Sequence, residues 1–201
     1  MLDVEGFILL GGASRRMGTD KAWLSLGGKR FVDRIADALL PIASRVSVVG
    51  ANERQDEWRF PNVPDIYPNW GALGGLHAAL AACRAEFAAV VACDLPFVTG
   101  KLFLRLATFS EDFDAVIPRQ DDGRLQPLCA LYRRDACLPA TQLLIENGER
   151  RPRVLLDRIS ARLVTESELQ SLSGAHLFFK NINTAEDFEQ ARKIIVPSGK
   201  N

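Results

Sequence analysis

The sequence predicts a three-layer α/β fold with a mainly parallel, mixed central sheet. Four short runs are almost continuously apolar, which is typical of strands covered on both faces. These runs are GFILL at residues 6–10, RVSVVG at 45–50, FAAVVA at 87–92 and DAVIP at 114–118. Segments of helical character alternate with them, and such alternation favours parallel strands joined by right-handed helical crossovers.

Three helices are predicted from periodicity, composition and capping. Residues 31–40 place an apolar residue at every fourth position with charged residues opposite, and residues 75–84 are rich in Ala and Leu. A last helix is predicted over residues 185–195. Asn183 and Thr184 precede it, and acidic residues occupy its first turn, as expected of a capped helix start.

The pattern changes in the second half of the chain. LQPLCALYRR at residues 125–134 is predicted to be a strand, and it follows the polar turn RQDDGR at 119–124. A hairpin-like return at this turn would add an antiparallel strand to the sheet. We expect residues 1–196 to form a single domain of ordinary size and residues 197–201 to be a frayed tail.

Composition narrows the classes of function. Twenty-five basic and 25 acidic residues cancel, so charge gives no reason to expect nucleic acid or an acidic membrane surface as a partner. No stretch is long and apolar enough to span a membrane, and the first residues lack the basic region of a signal peptide. The four cysteines show no CxxC spacing. We therefore expect a cytoplasmic protein.

The first predicted strand is followed by a candidate anion-binding loop, GGASRRMGTDK at residues 11–21. Gly11 and Gly12 let a ligand approach the backbone, and Arg15 and Lys21 add cations suited to phosphate. Ligands of open α/β sheets bind at the carboxyl ends of strands, where this loop begins. The spacing is neither that of a P-loop nor GxGxxG. A surface turn with solvated charges is the alternative.

Longer motifs carry a family resemblance over almost the whole chain. They are LLGGASRRMGTDK, GGKRFVDRIADAL, GALGGL, CDLPF, QPLCALY, NGERR and NINTAED. In this order they resemble bacterial molybdenum-cofactor guanylyltransferases, within the nucleotidyltransferase group of the glycosyltransferase-A-like fold. The resemblance implies a Rossmann-like fold of the nucleotide-diphospho-sugar transferase type. It also implies transfer of GMP from GTP to Mo-molybdopterin, release of pyrophosphate, and Mg²⁺ as cofactor.

The resemblance also implies the residues of the nucleotide site. It assigns catalytic roles to Arg15, Lys21 and Asp94, and Mg²⁺ binding to Asp94. The nucleotide-binding set that it implies is Leu9, Leu10, Gly11, Gly12, Lys21, Asn52, Asp65 and Asp94. Catalysis would need no protein base, because the acceptor is already a phosphate and alignment with charge neutralisation suffices.

Three positions bear on the choice of base. Leu10 stands where the family usually has Ala, and Gly50 stands where it has the first asparagine of NAN. Gly50 offers only backbone groups, so either Asn52 takes over part of the contact with the base or ribose, or Gly50 is simply a turn at the end of the strand. Relatives that use cytidine nucleotides commonly show LAAG, so Gly11 favours GTP.

Two carboxylates have an argument from position as well as from resemblance. Asp94 follows a predicted strand, where it would face the ligand crevice, and Mg²⁺ takes one or two protein carboxylates together with substrate phosphates. Asp65 follows a possible short strand, and a carboxylate can accept the N–H groups of guanine. The alternatives are a turn or helix cap at Asp94, before Pro96, and a turn-stabilising role at Asp65, beside Pro64.

The acceptor site is predicted from the last two motifs. Arg150 and Arg151 could receive the anionic pterin phosphate, and Asn181 and Asn183 could line the pterin side. Exposed charges at a helix start and capping of the final helix are the alternatives.

Three other functions stay open at this point. They are a molybdopterin cytidylyltransferase, a sugar-phosphate nucleotidyltransferase and a non-catalytic carrier of nucleotide or cofactor. The expected partners are GTP, Mo-molybdopterin, and proteins of cofactor synthesis or of delivery to molybdoenzymes, with no nucleic acid and no membrane. Retention of both Lys21 and Asp94 weighs against the carrier.

Overall fold

A computed structural model describes residues 2–10, 23–50 and 59–195. The strands are β1 Val4–Leu9, β2 Ser25–Leu26, β3 Lys29–Arg30, β4 Arg45–Val49, β5 Asn62–Val63, β6 Phe87–Ala92, β7 Ala115–Arg119, β8 Cys129–Arg133 and β9 Ala161–Thr165. The helices are α1 Phe31–Leu39, α2 Gly71–Ala82, α3 Gly100–Ala107, α4 Arg134–Glu146, α5 Glu166–Leu169 and α6 Ala185–Ile195. Two 3-10 helices span Pro152–Asp157 and Ala175–Leu177.

Seven strands form the central sheet in the order β5-β4-β1-β6-β8-β7-β9. Strand β8 is antiparallel to both of its neighbours, and the other pairs are parallel. This confirms the predicted mixed, mainly parallel sheet and the antiparallel strand after the polar turn. Strands β2 and β3 form a separate two-stranded hairpin.

Helices cover both faces of the sheet. One apolar core joins α1 and α3 to one face, and it includes Leu10, Ile35 and Leu102. A second core joins α2 and α4 to the other face, and it includes Leu9 and Leu76. The alternation of side chains along β1 therefore sends successive leucines to opposite faces, which fixes the end of that strand from both sides.

The predicted helix boundaries need one substantial correction. The last helix is confirmed at residues 185–195, and the first ends one residue before the predicted limit. The second begins at Gly71, four residues earlier than predicted, and the low helix propensity of its glycines does not prevent this because Gly74 packs closely against Trp70.

Two further findings concern the described residues as a group. None of their helices is long and apolar enough to cross a lipid bilayer. All four cysteines are buried free thiols, and burial raises the pKa of Cys83 to about 12 and that of Cys137 to about 12. The predicted frayed tail, residues 197–201, lies outside the described residues.

Candidate active site

The carboxyl ends of four neighbouring strands meet at one edge of the sheet. Leu9, the last residue of β1, lies opposite Val49 of β4 and opposite Ala92 of β6. Val49 in turn lies opposite Val63, the last residue of β5. The chain segments that follow these strands therefore all start from the same edge, which is where open α/β sheets bind their ligands.

Backbone hydrogen bonds continue the sheet one residue beyond β1. The Leu10 amide donates to the Val49 carbonyl at 2.9 Å, and the Cys93 amide donates to the Leu9 carbonyl at 3.0 Å. The side chains of Leu9 and Leu10 are each only 5% exposed and belong to the two cores. Any contact that these residues make with a nucleotide therefore comes from their main chain, and Leu10 fills its place in the core without entering the site.

The loop that follows Leu10 carries most of the predicted phosphate contacts. Gly11, Gly12, Arg15 and Lys21 lie outside the described residues, as does Asn52 after β4. Their predicted roles stay predictions. The strand ends on either side of the loop fix only where it starts.

Gly50 and Asp65 lie together at the β4 and β5 end of this edge. The Gly50 amide donates to the Val63 carbonyl at 3.0 Å. Gly50 has φ +75°, and a Cβ added to it would lie 3.4 Å and 3.5 Å from the two carboxylate oxygens of Asp65. The positive φ favours glycine at this position, whereas a Cβ would make only an ordinary contact with the Asp65 carboxylate.

The environment of Asp65 differs from that of a turn-stabilising aspartate. No hydrogen bond recorded among the described residues ends on its carboxylate, although a turn role would use one. Burial raises the pKa of this carboxyl group. Asp65 as a residue is exposed, so its carboxylate oxygens can be reached by a ligand, and among the described residues no protein donor occupies them.

Asp94 follows β6 and is connected to the predicted acceptor segment. The Ile182 amide donates to the Asp94 carbonyl at 2.9 Å, and Ile182 stands between Asn181 and Asn183. Asp94 is half-buried. The structure therefore brings three predicted site residues, from two distant parts of the sequence, to the same place.

The final helix does have the predicted cap. The amides of Asn183 and Thr184 both donate to the Asp187 carboxylate at 2.9 Å, and the Asp187 amide donates to the Thr184 hydroxyl at 3.1 Å. The backbone of Asn183 thus contributes to the cap. This geometry fixes the segment that reaches Asp94 and is compatible with a ligand contact from either asparagine side chain.

The start of α2 is built for close approach to the end of β1. Gly71 has φ +59° and the preceding Asn69 has φ +65°, so the chain turns sharply before the helix. A Cβ on Gly74 would lie 2.7 Å from Cβ of Trp70, and a Cβ on Gly75 would lie 3.5 Å from Cδ1 of Leu9. The glycines of GALGG thus lie in the first turns of a helix whose amino end is near the ligand edge.

Alanine substitutions at Gly74 and Gly75 are expected to have opposite effects on stability. Gly74→Ala is expected to lower the free energy of unfolding by about 1–2 kcal/mol, because the contact with Trp70 costs more than the gain in helix propensity. Gly75→Ala is the matched control. Its methyl group would make an ordinary contact with Leu9, so we expect unchanged or slightly higher stability. Urea unfolding of both variants measures the difference, and equal effects would contradict the packing described for Gly74.

Arg150 holds the turn that precedes α2. Its Nη1 donates to the Asn69 carbonyl at 2.9 Å, and its guanidinium carbon lies 4.8 Å from the Trp70 ring centroid. The hydrogen bond uses one of the five N–H donors of the side chain, which leaves the others for an anion. Arg151 instead pairs with Glu149, and this pairing lowers the pKa of Glu149 to about 2. Arg150 is therefore better placed than Arg151 to meet an acceptor.

His77 lies within α2 and is 5% exposed. Its ring packs edge-on against Tyr67, with 4.9 Å between centroids, and its Nδ1 has no hydrogen-bond partner among the described residues. Burial lowers its pKa. These features are those of an imidazole ring that packs in the core.

This environment predicts a pH dependence of stability. The unfolded chain protonates His77 near pH 6.5, whereas the folded chain does so only at lower pH. The stability contributed by the neutral, buried ring is therefore present above pH 6.5 and is lost as the pH falls from there through the folded-state pKa. We expect His77→Phe to reduce the loss of unfolding free energy between pH 8 and pH 5. An unchanged loss would contradict this account.

Two side chains near the site were not assigned a role from the sequence. The Trp70 ring packs against the guanidinium group of Arg150. Gln126 lies in the loop before β8, where its backbone N–H donates to the Pro118 carbonyl at 2.9 Å. The same loop reaches the ligand edge, because the Ala92 amide donates to the Leu128 carbonyl at 2.8 Å. The QPLCALY motif was the available signal for Gln126, but no signal linked Trp70 to a residue 80 positions away.

The chain is similar to known proteins over almost its whole length. A protein of Pelotomaculum thermopropionicum named "Probable molybdenum cofactor guanylyltransferase" is 35% identical over 96% of this chain and 93% of its own length. The molybdenum cofactor guanylyltransferase of Desulfosudis oleivorans is 32% identical over 96% of each chain. The crystal structure of molybdopterin-guanine dinucleotide biosynthesis protein A from Archaeoglobus fulgidus matches with a TM-score of 0.79 at 27% identity, covering 94% of this chain and 97% of that one.

The fold and the carboxylates at its ligand edge define a nucleotidyltransferase. The model of the MobA-like NTP transferase domain matches residues 6–163, which is more than half of the chain. The chain belongs to that family. The family predicted from the sequence motifs, and the enzyme class that it implies, are both confirmed.

Proposed function

We propose that this enzyme transfers GMP from GTP to the terminal phosphate of Mo-molybdopterin. An oxygen of the acceptor phosphate attacks the α-phosphorus of GTP and forms a new P–O–P bond. The bond between the α-phosphorus and the bridging oxygen of the β-phosphate breaks, and pyrophosphate leaves with the electron pair. The product is the guanine dinucleotide form of the cofactor.

One structural observation carries the proposal. Asp65 and Asp94 each stand two residues after the end of a parallel strand, β5 and β6 respectively, at the same edge of the sheet. The loop with Gly11 stands two residues after the end of β1, which lies between them. A nucleotide lying along this edge has an acceptor for its base at one end, amides for its phosphates in the middle and a carboxylate at the other end.

Strand spacing separates the roles of the two carboxylates. The Asp65 carboxylate lies close to Gly50, just after the end of β4. Strands β4 and β6 are two strand spacings apart, which is about 10 Å. The oxygen ligands of one Mg²⁺ lie only about 2.1 Å from it. The two carboxylates therefore serve different parts of the ligand, with Asp65 accepting the N–H groups of guanine and Asp94 near the reacting phosphates.

The site chemistry fits Mg²⁺ at Asp94. Among residues 2–10, 23–50 and 59–195, no three His, Cys, Asp or Glu side chains lie close enough to form a metal centre. Mg²⁺ does not need one, since it takes one or two carboxylates and completes its shell with waters and substrate phosphates. When bound, the ion would neutralise negative charge on the α-phosphate and on the departing pyrophosphate.

The other proposed contacts come from both sides of Asp94. Arg15 and Lys21 bind the donor phosphates and orient the α-phosphorus for in-line attack. Arg150, with Arg151 less favoured, and the asparagines Asn181 and Asn183 receive the pterin and its phosphate. The hydrogen bond from Ile182 to Asp94 supports this arrangement, because it places the asparagine segment beside the metal carboxylate. A cytoplasmic location and contact with molybdoenzyme-delivery proteins also belong to the proposal.

The first experiment separates this function from its rivals by nucleotide and acceptor. Pyrophosphate release is measured with GTP or CTP, Mg²⁺ and molybdopterin loaded with molybdate. We expect release with GTP, little with CTP, and none when a sugar phosphate replaces the pterin. Release with CTP would show a cytidylyltransferase instead. Binding of GTP and cofactor without any release would support a carrier.

A further inference from the structure

A cavity of about 600 Å³ lies on the α2 face of the sheet and extends from the start of β4 to Val63 at the end of β5. Its floor is formed by the amino-terminal halves of β1 and β4, and its wall by the end of α2 and the start of α4. The lining residues are Glu5, Phe7, Arg45, Ser47, Val63, Ala81, Ala82, Cys83, Arg84 and Arg134. The volume is within the range of small-molecule sites, which is about 300–1,000 Å³.

The cavity has an excess of positive charge. Three arginines line it against one carboxylate, Glu5. One oxygen of Glu5 already accepts the Arg84 amide at 2.9 Å. Among the described residues, the guanidinium groups of Arg45 and Arg84 have no carboxylate partner, so their charge is available to a ligand.

The third arginine is partly engaged. Arg134 pairs through Nη1 with the exposed Asp135. Its Nε is buried and has no hydrogen-bond partner among the described residues, so the contribution of Arg134 to a ligand would come from its terminal nitrogens.

Helix ends do not cancel this charge. The carboxyl end of α2 brings partial negative charge to the cavity, whereas the amino end of α4, which begins at Arg134, brings partial positive charge of similar size. The two contributions offset each other to first order. Cys83 adds no negative charge, because burial raises its pKa to about 12 and the thiol stays protonated. The arginines therefore decide the sign of the potential.

We propose that this cavity binds a small phosphorylated molecule. Guanidinium groups match phosphate oxygens in paired hydrogen bonds, and Arg45, Arg84 and Arg134 enclose the space from three separate elements. Phe7 and Ala81 supply an apolar wall for the remainder of such a ligand. Its three arginines are not among the residues of the proposed nucleotide site, and only the GTP saturation used in the test below rests on the proposed function.

The test uses the ¹⁵N-labelled full chain, saturated with GTP and Mg²⁺ and without acceptor, so that the nucleotide site is occupied. Inorganic phosphate is titrated at constant ionic strength, with chloride as the reference anion. We expect saturable shifts of the backbone amides of Phe7, Ser47 and Arg84. Arg45→Glu combined with Arg84→Glu is expected to raise the Kd for phosphate at least tenfold, whereas Arg158→Glu, an exposed arginine outside the cavity, is expected to leave it unchanged.

Three results would overturn the proposal. They are the absence of saturable shifts at these amides, equal shifts with chloride, and a Kd that the paired reversal does not change. If the paired variant does not fold, Arg84→Gln removes a single exposed charge, and we expect the Kd to rise at least threefold. GTP affinity in each variant shows that the nucleotide site is intact.

Discussion

Asp94→Asn is expected to lower kcat for GMP transfer about 10³-fold while the protein stays folded. The substitution removes the negative charge that we propose holds Mg²⁺, and loss of one stabilising group at a transferring phosphoryl costs about 4 kcal/mol in the transition state. The Ile182 amide bonds to the Asp94 backbone carbonyl, which asparagine retains. The acceptor segment should therefore keep its place. Steady-state kinetics with GTP and the molybdate-loaded pterin measure the effect.

Asp157→Asn is the matched control for this variant. Asp157 is exposed, at the end of the 3-10 helix Pro152–Asp157. We expect wild-type kinetics from it. Because urea unfolding reports on stability independently of activity, it shows whether Asp94→Asn lost its metal site or its fold. An Asp94→Asn enzyme that keeps more than a tenth of the wild-type kcat would remove Asp94 from the metal site.

Asp65→Asn is expected to lower kcat/KM for GTP about 10²-fold, mainly through KM. In the proposed role the carboxylate would accept from guanine N1–H and from its exocyclic amino group, and each charged hydrogen bond contributes about 1.5–3 kcal/mol. The side-chain NH₂ group of asparagine would face an N–H group of guanine, so two donors would meet without an acceptor. Burial raises the pKa of Asp65. As the pH is lowered, the KM of the wild type for GTP should therefore begin to rise at a higher pH than it would with an ordinary aspartate.

Inosine triphosphate sharpens this test, because hypoxanthine lacks the exocyclic amino group. The wild type should prefer GTP to ITP, and Asp65→Asn should lose most of that preference, which a double-mutant cycle of enzyme and nucleotide measures. A preference that persists in the variant would show that another group reads the amino group of guanine. The role of Gly50 would then need to be reconsidered, because its backbone lies beside Asp65.

The layers of the fold were predictable because β1, β4, β6 and β7 are buried on both faces, and their apolar runs need no long-range information. Helix α4 was missed although Cys137, Thr141, Leu144 and Ile145 bury one face of it. Its charged start directly follows β8, and Pro139 interrupts the pattern. The predicted start of α2 was too late because glycine has a low helix propensity. In the structure, packing against Trp70 outweighs that propensity.

The site was predictable to a different extent at each residue. Asp65 and Asp94 stand just after strands, and this position alone indicates the ligand edge. The bond from Ile182 to Asp94 and the contact of Arg150 with Trp70 join parts of the chain about 80 residues or more apart. No local pattern encodes such contacts, since they depend on how the elements pack.

The most direct test of the central claim follows two labels of GTP in the complete reaction with Mg²⁺ and molybdate-loaded molybdopterin. With [α-³²P]GTP, the account predicts that the label appears in the dinucleotide form of the cofactor. With [γ-³²P]GTP, it predicts that the label appears only in pyrophosphate. Transfer of the γ-label to the pterin, or no transfer of the α-label, would contradict GMP transfer by this enzyme.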